Sequence, residues 1–251
     1  MNLSCIPPFV DNQPHPRYFP YPTSFTPESG ETTCFRYLES LEEHAACVTY
    51  LAEEIPKETG ATGVPGKMVV KFVARYGEEV HRFLARNGHA PALRYYGPLP
   101  NTQLSGVFPE PAQGASSDLR LRSGIMRMVV MDYIEGRDTR DRHRRPQDAR
   151  QQIQTILDLL HKEGYVIGDL RTQNILFDAD GKVKLIDFDW CGRYPRDNTQ
   201  DQINDGGDRH EDYAYYPLSM SRVRGMWAEG MEPLGHILPD HDWMMFEKLF
   251  W

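Results

Sequence analysis

Apolar positions recur along this chain with two different periods, and those periods predict most of its elements. Residues 35–50 and 46–55 carry apolar and β-branched side chains and predict two strands. KMVVKFV (67–73) is apolar almost throughout and predicts a buried strand that carries Lys71. A helix follows, with Tyr76, Val80, Phe83 and Leu84 on one face and Asn87-Gly88 as its stop. Ala90 to Tyr96 leads into another strand, and IMRMVVMDYI (125–134) predicts a further one. Pro146 and Asp148 open a second helix, on which Ala149, Ile153, Ile156, Leu157 and Leu160 share a stripe that Gly164 ends. NILFDADGKVKLIDFD (174–189) predicts two strands joined by an Asp-Gly-type turn. The last forty residues hold Trp, Phe and Met and predict short packed helices. GATGVPG (60–66) predicts a hairpin turn, 101–122 a long surface loop, and the prolines among the first thirty residues an extended arm.

Composition narrows the function classes. At 251 residues the chain suffices for one two-lobed domain or two small ones. A net charge of -8 argues against a general binder of nucleic acid or of anionic membranes, so any anion would be held by a local positive cluster or a metal. Cys5, Cys34, Cys47 and Cys191 are scattered, with no C-x-x-C pair, which suits reduced thiols. The first residues lack a basic start followed by an apolar run, and no stretch approaches the roughly 20 apolar residues of a bilayer span. An intracellular, cytoplasmic protein is expected.

The candidate chemistry lies in VIGDLRTQNILFDADGKVKLIDFDW (166–190). Asp169 is followed five residues later by Asn174, and after the hairpin, eighteen residues from Asp169, comes Asp187. A loop carboxylate facing a second carboxylate across a hairpin suits one phosphate. One accepts a proton from a hydroxyl, while the other, with an amide oxygen, holds Mg2+.

This stretch resembles the catalytic and metal-binding loops of the protein-kinase-like superfamily. The resemblance implies that Asp169 is the catalytic Asp and that Asn174 and Asp187 are the metal ligands. Arg171 stands where many protein kinases carry a phosphate-contacting Lys. It further implies that Lys71 contacts the phosphates of ATP, that Glu79 (or Glu78) pairs with Lys71, and that Met131, Asp132, Tyr133 and Ile134 line the hinge beside the nucleotide. The similarity runs in order over roughly residues 35–190.

Several positions depart from that family's pattern. No Gly-x-Gly-x-x-Gly precedes Lys71, since 38–51 contain no glycine, and the spacing of Gly60, Gly63, Gly66 and Lys67 fits no phosphate loop. Ile167 replaces the His usual two residues before the catalytic Asp. Asp187-Phe188-Asp189 replaces Asp-Phe-Gly, as in aminoglycoside- and choline-kinase-like relatives. No Ala-Pro-Glu follows, and about sixty residues remain after Asp189.

Weaker signals accompany these. Arg137, Arg140, Arg142, Arg144 and Arg145 read either as an anionic-substrate site or as a solvated face broken by Asp138 and Asp141. The acidic stretch 197–212 occupies the place of an activation segment. His81 and His161 read as surface or packing residues, and the residues Pro239 to Trp243 as a helix cap.

The expected fold is α+β and two-lobed. It has an arm (1–30), a β-rich N-lobe (31–134, with 101–122 inserted) and a short helical C-lobe (135–251). The expected function is ATP- and Mg2+-dependent phosphoryl transfer by an atypical protein kinase. A pseudokinase scaffold and a small-molecule kinase are the alternatives. The expected partner is a nucleotide, with the acceptor and oligomeric state open and neither nucleic acid nor membrane involved.

Overall fold

The computed structural model describes residues 22–28, 30–42, 48–56, 66–100, 126–138, 145–196, 213–218, 220 and 230–250. Most of the proline-rich start, residues 57–65, the 101–122 loop and the acidic stretch 197–212 lie outside them. The fold is α+β, and its contacts divide the chain into two compact units. One comprises residues up to Ala74 together with Leu93–Tyr133, and the other Arg75–Ala92 together with Ile134 onward. No helix among the described residues is long and apolar enough to cross a membrane.

The first unit is one antiparallel sheet of β1 (Ser24–Phe25), β2 (Thr33–Ser40), β3 (Thr49–Glu54), β4 (Lys67–Val73), β5 (Leu93–Pro98) and β6 (Arg127–Asp132), in the order β1-β2-β3-β4-β6-β5. Alternation along β4 sends Met68, Val70 and Phe72 into a core with Phe25, Phe35, Tyr50, Ala52, Met128 and Val130. Aromatic contacts link this core: Phe35 to Tyr37 and Tyr37 to Tyr50, each with centroids 5.4 Å apart and edge-to-face. Lys71 belongs to the opposite set and is only 7% exposed. It is directly across from Val129, and Val69, two residues back, is across from Met131. At the end of β6, Asp132 accepts from Nε of Arg94 at 2.5 Å, and Arg94 also reaches Glu54 at 3.5 Å.

The second unit holds α1 (Glu78–Arg86), β7 (Arg137–Asp138), α2 (Ala149–Glu163), β8 (Tyr165–Val166), β9 (Ile175–Phe177), β10 (Val183–Leu185), β11 (Gly192–Arg193) and α3 (Pro239–Leu249). Helix α2 buries the predicted stripe of Ala149, Ile153, Ile156, Leu157 and Leu160, and ends at Gly164. Strands β10, β9 and β7 form one sheet, and β11 pairs with β8 in another. The turn between β9 and β10 is set by Asp178, whose Oδ1 accepts from the amides of Asp180 and Lys182 at 3.1 and 2.8 Å.

Several elements differ from the sequence expectation. The two predicted N-terminal strands are shorter and separate, at Thr33–Ser40 and Thr49–Glu54. The first helix begins at Glu78, and Tyr76 precedes it as a buried residue. The described part of the last forty residues holds one helix, α3, instead of several. Strands β1, β7, β8 and β11 have no counterpart in the sequence expectation, which placed β1 in the extended arm, because two residues show no period. The backbone of Arg137 and Asp138 therefore belongs to a sheet, paired with Phe177 and Leu176. Arg140, Arg142 and Arg144 lie outside the described residues. Arg145 donates to the carbonyl of Leu249 at the end of α3, at 2.9 Å.

Helix α1 is seated by close approach of Gly77 to Cys191. A Cβ at Gly77 would lie 2.2 Å from Cys191 Sγ and 2.6 Å from its carbonyl oxygen. Gly77→Ala should therefore lower stability by about 2–3 kcal/mol in urea unfolding. Cys191→Ala in the same chain should not restore it, because the carbonyl remains.

Candidate active site

Helix α2 delivers the chain into β8, and β8 runs directly into Ile167-Gly168-Asp169. Gly168 has φ 75, and a Cβ there would meet Ile237 Cδ1 at 2.6 Å, so the bend requires glycine. The loop is held from behind by Asp242 of α3, which is fully buried. Its Oδ2 accepts from the amide of Ile167 at 2.9 Å and from His161 Nε2 at 3.0 Å, and its Oδ1 accepts from the amide of Gly168 at 2.8 Å. Three donors on one carboxylate offset the cost of burying it.

Asp169 follows, 5% exposed. Its Oδ2 accepts from Arg171 Nη2 at 2.6 Å and from Asn174 Nδ2 at 3.0 Å. The same Asn174 nitrogen also donates to the backbone carbonyl of Asp169 at 2.9 Å. Oδ1 of Asp169 is buried and has no hydrogen-bond partner among the described residues. Burial drives the pKa of this carboxyl up to about 6; Arg171 opposes the rise and the charge of Asp187 adds to it.

The hairpin brings Asp187 to this place. Leu185 pairs with Ile175, and the next amide, Ile186, donates to the carbonyl of Asn174 at 2.9 Å. Asp187 thus follows directly beyond Asn174 across the hairpin. Its φ of 68 is unusual for a residue with a Cβ. Because Asn174 directs its nitrogen at Asp169, the remaining polar atom of its amide is an oxygen. An amide oxygen beside a carboxylate, in a site with an orphaned carboxylate oxygen, fits a hard cation such as Mg2+, which takes a few protein oxygens and completes its shell with water and phosphate.

Phe188 lies flat against His81, with centroids 4.3 Å apart and planes 8° apart. His81 is a packing residue, fully buried, and burial lowers its pKa to about 4. Burial also pushes the Cys191 thiol well up, so it is poorly suited as a nucleophile.

Of the other residues singled out by sequence, Lys71, Met131, Asp132 and Tyr133 lie in the first unit, and Ile134 and Glu79 in the second. The ring of Tyr133 carries Lys67 Nζ at 5.7 Å from its centroid. Glu79 Oε2 accepts from Arg193 Nη2 at 3.1 Å and from the Tyr165 hydroxyl at 3.4 Å, and Glu78 pairs with Arg82 at 2.8 Å. Sequence reasoning missed Asp242 and the partnership of His161. The signal was available: Asp242, Met245, Phe246 and Leu249 stand at i, i+3, i+4 and i+7, so a carboxylate occupies a core-stripe position.

No family model matches the chain. Among curated proteins, protein kinase C zeta type of Oryctolagus cuniculus is 36% identical over 81 residues, covering 28% of this chain and 14% of that protein. Serine/threonine-protein kinase PAK mbt of Drosophila melanogaster is 36% identical over 72 residues, 26% of this chain and 11% of that protein. Serine/threonine-protein kinase LATS1 of Mus musculus is 31% identical over 101 residues, 32% of this chain and 9% of that protein. The similarity is to serine/threonine protein kinases. It covers a small part of each relative's length and supports kinase relatedness.

Two buried aspartates predict opposite responses. Asp242→Ala strands three donors and should cost about 3–5 kcal/mol in urea unfolding, with faster hydrogen exchange at Ile167 and Gly168. Asp169→Asn removes a carboxylate whose charge is disfavoured in the folded state. In metal-free buffer at pH 7–8 it should stabilise by about 1–3 kcal/mol. The folded pKa of Asp169 is above the ordinary value, so the native state takes up its proton first as pH falls. The advantage of the Asn variant should therefore shrink between pH 6 and 4, which thermal melts across that range would read.

Proposed function

We propose that this protein is an ATP- and Mg2+-dependent phosphotransferase of the protein-kinase-like superfamily, acting on a hydroxyl. The observation that carries the reading is the convergence of Asp169, Asn174 and Asp187, with a buried, orphaned oxygen on Asp169. The similarity to serine/threonine protein kinases supports the same reading and favours a protein hydroxyl over a small molecule as the acceptor. The two-lobed fold belongs to this proposal.

When bound, Mg2+ would screen the phosphate charge of ATP. Asn174 and Asp187 would hold it through their oxygens. Asp169 orients the acceptor hydroxyl and takes its proton at the orphaned Oδ1, a role suited to a carboxyl with a pKa of about 6. Arg171 keeps Oδ2 engaged, so that Oδ1 is the oxygen left for the substrate. Lys71 neutralises phosphate charge, and Met131 to Ile134 offer backbone groups to the base of the nucleotide. Such a site works by positioning and electrostatics.

A second reading, a nucleotide-binding pseudokinase, is favoured by one specific observation. Glu79, the proposed partner of Lys71, already accepts from Arg193 and Tyr165 through Oε2. The glycine-free 38–51 stretch weighs the same way.

Calorimetry with Mg2+ and ATP on the full chain, followed by transfer assays, separates the two. The enzyme reading expects binding below millimolar ATP, and turnover that falls about 10²–10⁴-fold in Asp169→Asn while nucleotide binding persists. Asp187→Ala should lose metal-dependent binding. Transfer at the wild-type rate by Asp169→Asn would remove Asp169 from its role, and binding without transfer would select the pseudokinase.

A further inference from the structure

Strand β5 breaks its register once. Leu93 is across from Met131 and Tyr95 from Val130, so Arg94 is an extra residue, a β-bulge. In a regular strand, neighbouring side chains take opposite faces. Here Tyr95 packs on the core, with its ring centroid 5.8 Å from that of Phe25, and Arg94 reaches the same face. Without the bulge, the two could not share it. What Arg94 meets there is the end of the sheet. Asp132 lies two residues beyond Val130 on β6, and Glu54 two beyond Ala52 on β3, so both carboxylates extend the core face, opposite Lys71. Arg94 Nε donates to Asp132 Oδ1 at 2.5 Å, and Nη1 lies 3.5 Å from Glu54 Oε2. The guanidinium lies beside Gly66, where a Cβ would stand 3.7 Å from Nη2. One side chain thus spans from β5 past β6 and β4 to β3.

The ladder weakens at the same place. Beyond Asp132, the Tyr133 amide reaches the Lys67 carbonyl at 3.4 Å, a stretched bond. Ion pairs with side chains 29% to 43% exposed add little to global stability, so the effect of these is local. Because the Asp132 carboxylate is drawn to the face away from Lys71, its backbone is what remains for a ligand on the Lys71 face.

We propose that Arg94 is a positioning residue for the nucleotide base. The bulge aims it at Asp132, and the tether fixes the backbone of Asp132 and Tyr133. A fixed carbonyl accepts from the exocyclic amine of adenine and repels the ring carbonyl that guanine carries at that position, so Arg94 sharpens the preference for adenine. The consequence for the base rests on the proposed function, in which Met131 to Ile134 meet it. The tethering of Asp132 does not.

The first measurement uses the full chain in nucleotide-free buffer. Hydrogen-exchange protection is read at residues 131–133 relative to 128–130. Arg94→Ala should lower it about three- to fivefold. Asp132→Ala should do the same, and the double variant no more than either alone. Unchanged protection in Arg94→Ala, or additive losses in the double variant, would overturn the proposal. Should Arg94→Ala not fold, Asp132→Ala decides, because it removes the other partner, and wild-type protection there would overturn the proposal.

A second arm measures competition of ATP and GTP, each with Mg2+, against a fluorescent ATP analogue. Arg94→Ala should lower the preference for ATP over GTP about threefold. Both nucleotides weakened alike, or neither weakened, would remove Arg94 from base selection. A wild-type chain that fails to bind ATP with Mg2+ would sink the phosphotransferase reading, and the exchange contrast would still decide whether Arg94 tethers Asp132.

Discussion

The buried carboxylate of Asp242 is the constraint on which the candidate site depends. A loop that turns sharply at Gly168 cannot satisfy its own amides through a helix or ladder, and those amides are buried. Asp242 accepts two of them, while His161 of α2 steadies the same carboxylate. Helices α2 and α3 and the loop thus share one anion. The loop is preorganised by its back, while Asp169 engages Arg171 and Asn174 through Oδ2 and keeps Oδ1 without a partner among the described residues.

Two aspartates of one unit show how environment assigns the role. Asp242 is more deeply buried, yet it has a donor for each need. Asp169 is nearly as buried and keeps one oxygen without a partner among the described residues, beside the like charge of Asp187. Folding alone favours the first arrangement and is opposed by the second. A buried charge that its partners compensate only in part is the kind of local cost that a functional site carries and a structural one sheds.

The segment that follows Phe188 is tied down in steps. Arg193 reaches Glu79 and stacks over Tyr165 with its guanidinium 4.8 Å from the ring centroid. Tyr194 donates to the carbonyl of His161 at 3.0 Å, and Arg196 to that of Lys162 at 2.7 Å, which satisfies the exposed end of α2. The Arg193–Glu79 pair is about half to two-thirds exposed and is individually worth little. It is therefore easily exchanged, in contrast to the buried contacts of Phe188 with α1.

Local patterns along the chain suffice for the α+β class, the long apolar strand around Lys71, the stripe of α2, and the hairpin after Asn174. Each rests on a period or a turn signal that is local by nature. The sequence also brought Asp169, Asn174 and Asp187 under suspicion together, because hairpin spacing is short-range geometry. What it could not determine was which partner each polar group would take. Asp242 is seventy-four residues from the Gly168 amide that it accepts, Glu79 is more than a hundred from Arg193, and His81 meets Phe188 from another element. The two-residue strands were illegible for the same reason, since they exist only as pairs. Tertiary structure decided these points because burial removes water as the alternative partner. Which donor then faces which acceptor depends on elements that are distant along the chain.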